Sequence, residues 1–266
     1  NVGGNIPSSL TYIDYKTGVA TQNQFYAYNH RELGQTANDA IVYGEKMYIV
    51  VSGENTIEVV NLKTMKATQI RLVDQIGEKG NTPRCVASGN GMVYVSTYGS
   101  SQADWTEHTT SGNGYVAAID TISFSVKSTF VAGSYPEGVA VYDNYLVVAN
   151  SDYSMGTKAS ISVIDMETGK DEPITDELIT NPTKVGVRYD GIYFLDGGNY
   201  ADVAAGVRKI TKSSITTLFE ATFASFVDTN IYACNCPWGT TPTDFIVYNA
   251  ETGVKGAIYS MGGRVM

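Results

Sequence analysis

Apolar and polar positions along the chain alternate in short bursts, and the bursts come in pairs. In "YPEGVAVYDNYLVVANSDY" (residues 135–153) two Val-rich runs flank a tight turn and lead into a polar loop. Runs of this length, rich in Val, Ile, Thr and Tyr and punctuated by Gly, Asn and Asp, predict strands joined as hairpins. Three other stretches align with it without gaps: "TANDAIVYGEKMYIV" from Thr36, "TPRCVASGNGMVYVS" from Thr82 and "NPTKVGVRYDGIYFL" from Asn181. A weaker copy, "EATFASFVDTNIYAC", starts at Glu220.

Each hairpin is followed by a second pattern, an apolar strand that ends in Asp or Asn and then turns. It occurs as "IEVVNLKTMK", "VAAIDTISFS", "ISVIDMETGK", "VRKITKSSI" and "FIVYNAETGVK", with a further copy, "LTYIDYKTGV", near the N-terminus. Taking Asp14, Asn61, Asp120, Asp165, Thr211 and Asn249 as markers, the spacings are 47, 59, 45, 46 and 38 residues. Four short strands per period in the forties predict an all-β fold, a β-propeller of four-stranded antiparallel blades. A lone blade cannot cover both faces of its sheet, so the blades stack around an axis. Residues 1–266 are thus expected to form a single propeller domain of five full blades and a half blade. The N-terminal outer hairpin would belong to the blade that closes the ring, which removes a free edge. On that reading the chain continues by at least one inner hairpin, and the complete ring has six or seven blades.

Composition narrows the function classes. A hydrophobic content of 43% against 17% charged residues belongs to a folded globular chain. The net charge of −9 and pI near 4.7, with no cluster of Lys or Arg, exclude a nucleic-acid binder and a polybasic membrane-surface protein. No apolar run approaches the roughly 20 residues of a membrane-spanning helix. Cys85, Cys234 and Cys236 are too few, and odd in number, for a disulfide framework. The "CNC" spacing lacks the partners of a zinc site. "DGGNYAD" (residues 196–202) has two carboxylates and an amide but not the oxygen set of a calcium loop, so no metal or cofactor is expected.

Units of the form P-x-x-V-x-V…V-x-V-I-D-x-x-T-G-K, clearest in "YPEGVAVYDNYLVVAN…SISVIDMETGK", resemble the YVTN or surface-layer type of β-propeller. The N-terminal run "SSLTYIDYKTGVATQNQFYAYNHRELGQTANDAIVYGEKMYIVVSGENTIEVVNLKTMKAT" is similar to the exported propeller lipoproteins of Bacteroides-type bacteria. The resemblance implies an exported protein of the cell surface or periplasm. Some members of that family are partners of TonB-dependent outer-membrane transporters and capture corrinoids. The lipoprotein cysteine of that family is not found in this chain. A monomer is expected.

If strands run outward from the axis, the second-to-third-strand loops lie on one face, and there the repeat loses its regularity. Those loops carry Tyr98, Trp105, Tyr153, Tyr200 and Trp238, with His108 and Met155 among them. Large amphipathic side chains on long loops suit a recognition surface. Arg84 and Glu137, third in their aligned units, fall near the expected channel mouth and complete the candidate ligand-binding set. There is no Gly-x-Ser-x-Gly, HExxH or phosphate loop, and only two histidines, so no catalytic residue is assigned. The sequence therefore predicts a non-catalytic envelope propeller that binds a bulky small molecule, a corrinoid-like nutrient, for a transporter. Two alternatives stay open: a protein-binding or adhesion scaffold, and a carbohydrate-active enzyme using acidic residues at the channel mouth.

Overall fold

The structure is a computed structural model that describes residues 7–154, 157–212, 214–237, 240 and 245–256. The chain divides into two compact units, residues 1–101 with 112–131 and residues 102–111 with 132–266. Both are built of antiparallel sheets in a propeller-like, all-β arrangement.

In the first unit, β1 (Tyr12–Ile13) and β2 (Ala20–Thr21) pair as the two-stranded hairpin expected at the N-terminus. Helix α1 (Gln24–Asn29) follows, with Phe25 buried against Ile49 and Val51. The first four-stranded sheet runs in chain order through β3 (Ala37–Tyr43), β4 (Lys46–Val51), β5 (Thr56–Asn61) and β6 (Ala67–Arg71). After the short helix α2 (Leu72–Ile76), the second sheet starts with β7 (Pro83–Gly89) and β8 (Met92–Thr97). The chain then leaves this unit as β9 (Gln102–Asp104) and β10 (Thr109–Ser111), and returns as β11 (Gly114–Asp120) and β12 (Val126–Ala132). Tyr48, Val50, Ile57 and Val59 of the first sheet pack on Val86, Val93, Val95, Ala117 and Ile119 of the second. Each fully buried aliphatic side chain contributes about 1.5–3 kcal/mol relative to exposure.

In the second unit, β13 (Pro136–Tyr142), β14 (Tyr145–Asn150) and β15 (Ser160–Asp165) form a three-stranded sheet. The expected fourth strand is reduced to two bridges, Ile161 with Ile174 and Ile164 with Asp171. Pro173 has no N–H to give a ladder there, and burial pushes the Asp171 carboxyl up although Ser162 donates to it at 2.7 Å. A complete sheet follows with β16 (Pro182–Arg188), β17 (Gly191–Asp196), β18 (Gly206–Ile210) and β19 (Ile215–Glu220). The last comprises β20 (Phe223–Val227), β21 (Asn230–Cys234), β22 (Phe245–Asn249) and β23 (Val254–Lys255). Packed between the last two sheets are Tyr193, Leu195, Val207, Phe219, Ile231 and Ala233.

The marker residues of the repeat are turn formers. Oδ1 of Asp14, Asn61, Asp120, Asp165 and Asn249 each accepts backbone N–H groups two and three residues on, at 2.7–3.3 Å. This is the Asx turn that a strand-ending Asp or Asn favours. These bonds, with the Ser123 hydroxyl foremost at Asp120, hold the Asp120 and Asp165 carboxyls below the usual range.

A second device was not visible in the sequence. Thr36, Thr82 and Tyr135, first in their aligned units, all have positive φ, and each following strand slips register at the third or fourth position of the unit. A bulge swings its side chains out of the regular pleat, so Asn38, Arg84 and Glu137 sit at irregular positions of the strand. Thr183 occupies the same kind of slip in β16.

Candidate functional site

Across the sheet β16–β19 one row reads Pro182, Asp196, Gly206, Glu220. Asp196 is fully buried (0% exposed) and closes β17 just before the loop 197–205. Its Oδ1 accepts from the Thr180 hydroxyl at 2.7 Å and the Gly198 amide at 2.9 Å, while Oδ2 accepts from the Thr180 and Asn181 amides at 2.9 and 3.1 Å. Beside it lies Arg208 of β18, 1% exposed, with Nη1 2.9 Å from Asp196 Oδ1 and Nη2 donating to the Ala204 carbonyl at 2.7 Å. The pair ties both ends of the 197–205 loop to the sheet.

The loop is braced internally as well. Gly198 has φ +74°, and a Cβ there would stand 2.4 Å from the Val203 carbonyl oxygen, so the turn requires glycine. The Asn199 side chain accepts from the Ala201 and Val203 amides at 3.0 and 2.9 Å and donates to Asp202 at 2.8 Å, which lowers the Asp202 carboxyl. Tyr200 rides the tip with positive φ and 88% of its surface exposed.

This loop forms one wall of a cleft of about 400 Å³, within the size range of small-molecule sites. Ala201, Val203, Ala204, Ala205 and Pro237 make it apolar, whereas Tyr200, Glu220, Thr222 and Asn235 supply its polar groups. Glu220 accepts one long bond, 3.4 Å, from the Asn235 amide. The neighbouring Cys234 thiol is pushed up by burial and, secondarily, by Cys236; both cysteines are free.

The other candidate residues fall into separate groups. The segment from Thr97 to Gly114, expected to be an irregular loop, instead contains the β9–β10 hairpin, which belongs to the second unit. Trp105 at its turn meets Tyr153 edge-on at 5.3 Å, and Tyr153 leans on Tyr135 at 4.7 Å. The Tyr135 hydroxyl accepts from the Ala103 amide, and burial raises its pKa, helped by the Tyr153 charge. Asp152 is fully buried and gathers the Thr110 hydroxyl, the Thr157 amide and hydroxyl, and the Lys158 amide. Replacing Thr110 with valine removes one of these donors and nothing else of size. Native-state proteolysis in the turn around Trp105 should then accelerate about tenfold, the equivalent of one lost hydrogen bond; an unchanged rate would show that Asp152 does not hold the hairpin.

In the first unit the Arg84 guanidinium lies 4.9 Å from the Tyr98 ring centre, a cation–π arrangement. Asp39, one position beyond Asn38, accepts a hydrogen bond from the Val86 amide at 3.1 Å and so joins β3 to β7. Glu137 occupies the bulge of β13, half-buried. Trp238 and Met155 lie outside the described residues. The structure thus brings together Trp105 with Tyr153 and Arg84 with Tyr98, and puts Tyr200 on the cleft. Sequence reasoning missed Glu220, Asn235, Arg208 and the role of Asp196. One signal was present, Arg208 between the apolar ends of the strand "VRKI", a charge that must find an anion if buried.

Residues 1–217 match the family described as Domain of unknown function (DUF5074). The chain belongs to this family. No curated protein matches it. Similar solved structures include hydrazine synthase of Kuenenia stuttgartiensis, 14% identical with a TM-score of 0.60 over 85% of this chain and 68% of that one. A chain of a nidogen/laminin complex is 11% identical, with a TM-score of 0.61 over 93% of this chain and 86% of that one. The computationally designed protein Ika8 is 12% identical with a TM-score of 0.54; 86% of this chain is covered, but the match spans only 64% of the Ika8 chain. At these identities the likeness shows the propeller-like fold of this DUF5074 chain and nothing of its chemistry. Among the described residues no helix is long and apolar enough to cross a membrane.

Proposed function

We propose that this DUF5074 protein is a non-catalytic ligand-binding propeller of the cell envelope, and that the Tyr200 cleft is its binding site. The observation that carries the reading is the cleft itself: a concavity of about 400 Å³ with apolar walls, an exposed tyrosine and a small set of polar groups, on a loop pre-ordered by buried bonds. Pre-ordering lowers the entropic cost of binding. A corrinoid, the nutrient class that the family resemblance offers, is too large to enter whole. Its edge would seat in the cleft, with peripheral carboxamides donating to Glu220 and accepting from Asn235. In this reading the protein is exported, hands its ligand to an outer-membrane transporter, and closes its ring at six or seven blades.

The non-catalytic part rests on the two carboxylates of one row. They stand two strands apart, roughly 10 Å, but Asp196 is sealed and held by four donors and Arg208. Among the described residues the cleft therefore presents one carboxylate, where glycoside hydrolysis uses a pair. Calorimetry with cyanocobalamin tests the proposal. One-to-one binding that weakens about tenfold in Tyr200→Ala is expected, the loss typical of an aromatic anchor. Absence of heat with the folded protein would remove the corrinoid.

A further inference from the structure

We propose that the Tyr200 cleft selects its ligand by charge, accepting an N–H donor end, a primary ammonium or a carboxamide, on an apolar body, and rejecting carboxylates. The inference rests on the cleft being the binding site and adds what the site prefers.

Three observations lead to it. Glu220 is the one charged side chain among the described residues that line the cleft, which include no lysine, arginine or histidine. A positive charge does lie close behind the wall, on Arg208, but it is sealed at 1% exposure and paired with Asp196, so it offers no open anion site. Glu220 is exposed, and the one hydrogen bond its carboxylate accepts among the described residues is the long one from Asn235. A carboxylate can only accept. It keeps room for ligand donors, and it shares the cleft with the apolar residues Ala201, Val203, Ala204 and Pro237. An incoming anion meets repulsion from Glu220 and from a protein of net charge −9, while a cation is drawn in by both.

Gly206 gives the arrangement its shape. It lies between Asp196 and Glu220 in the row and adds no side chain to separate the sealed carboxylate from the open one. A Cβ at Gly206 would stand 2.9 Å from the Phe219 carbonyl oxygen, so no larger residue fits without moving β19, which ends at Glu220.

Three probes with one skeleton separate the possibilities: 3-phenylpropylamine, 3-phenylpropionamide and 3-phenylpropionate, titrated into the full chain and followed by NMR. The amine and the amide should bind, and the carboxylate should bind at least about tenfold more weakly than the amine at low ionic strength. The gap should narrow in about 0.5 M salt, as expected for charges near the surface. Glu220→Gln should bring the amine and amide to within about twofold of each other, and Asn235→Asp, which adds a second carboxylate, should widen the preference for the amine. Equal binding of all three probes, or a Glu220→Gln protein that keeps the full amine-to-carboxylate ratio, would overturn the charge selection while leaving the cleft as a site. If none of the three binds, both the selection and the site reading fall.

Discussion

Changing Asp196 to asparagine should destabilise the protein by about 3–5 kcal/mol, the cost of leaving a buried charge without its partner. The carboxylate is surrounded by donors on both oxygens. An asparagine must turn its own NH2 group toward either the Thr180 and Asn181 amides or the Gly198 amide and Arg208, so one side meets donor with donor. Arg208 meanwhile keeps its charge at 1% exposure with no counter-ion, and its Nε and Nη1 already have no hydrogen-bond partner among the described residues. The complementary change, Arg208→Met, should cost less than about 2 kcal/mol. It removes the bond to Ala204 and one ion pair, but Asp196 retains four donors and the methionine fills the space. Urea unfolding followed by circular dichroism measures both, with midpoints compared at a common slope. If Asp196→Asn were no less stable than Arg208→Met, the pair would not be the support of the Tyr200 loop.

That asymmetry also shows where sequence reasoning reached its limit. The hairpins, their turns and the Asx-capped ends were legible because each is set by residues adjacent in the chain. Asp120 or Asp165 at the end of an apolar run, with Ser123 or Thr168 three residues on, dictates its turn locally. The bulges that aim Arg84 and Glu137 left no such mark, since the positive φ values before them fall on Thr36, Thr82 and Tyr135, residue types that do not advertise the left-handed region. The β9–β10 hairpin depends on Asp152, far along the chain, receiving the Thr110 hydroxyl. The cleft draws Tyr200, Glu220 and Asn235 from three loops and strand ends. Tyr200 could be nominated as an aromatic in an irregular loop, but nothing in the chain order says that Glu220 ends its strand against it. Likewise the buried arginine becomes meaningful only when Asp196 is seen across the ladder.

Gly138→Ala should destabilise the second unit by about 1–3 kcal/mol, the range of overpacking against atoms that cannot yield. Gly138→Leu should prevent that unit from folding. The sign is what makes the alanine change informative. Gly138 does not lie in the left-handed region, and at such a position replacing glycine with alanine ordinarily stabilises by about 0.4–1 kcal/mol through the unfolded chain. Here the added Cβ would stand 2.7 Å from Lys184 Cα and 2.9 Å from the Val185 nitrogen, both backbone atoms of β16. The first strands of successive sheets, β13 and β16, therefore run in contact, and no side chain can rotate away to admit a methyl group. Gly186 repeats the device one sheet on, facing Phe226 Cβ of β20 at 2.7 Å. Gly169→Ala is the control: its φ of +72° makes alanine cost about 1–2 kcal/mol in backbone strain, but nothing stands within 4 Å of the new atom. Raising the volume there from alanine to leucine should add little, whereas at Gly138 each added carbon drives the strands apart. Denaturation midpoints for the four variants would distinguish the two mechanisms, and a Gly138→Ala protein more stable than the parent would show that β13 and β16 do not touch.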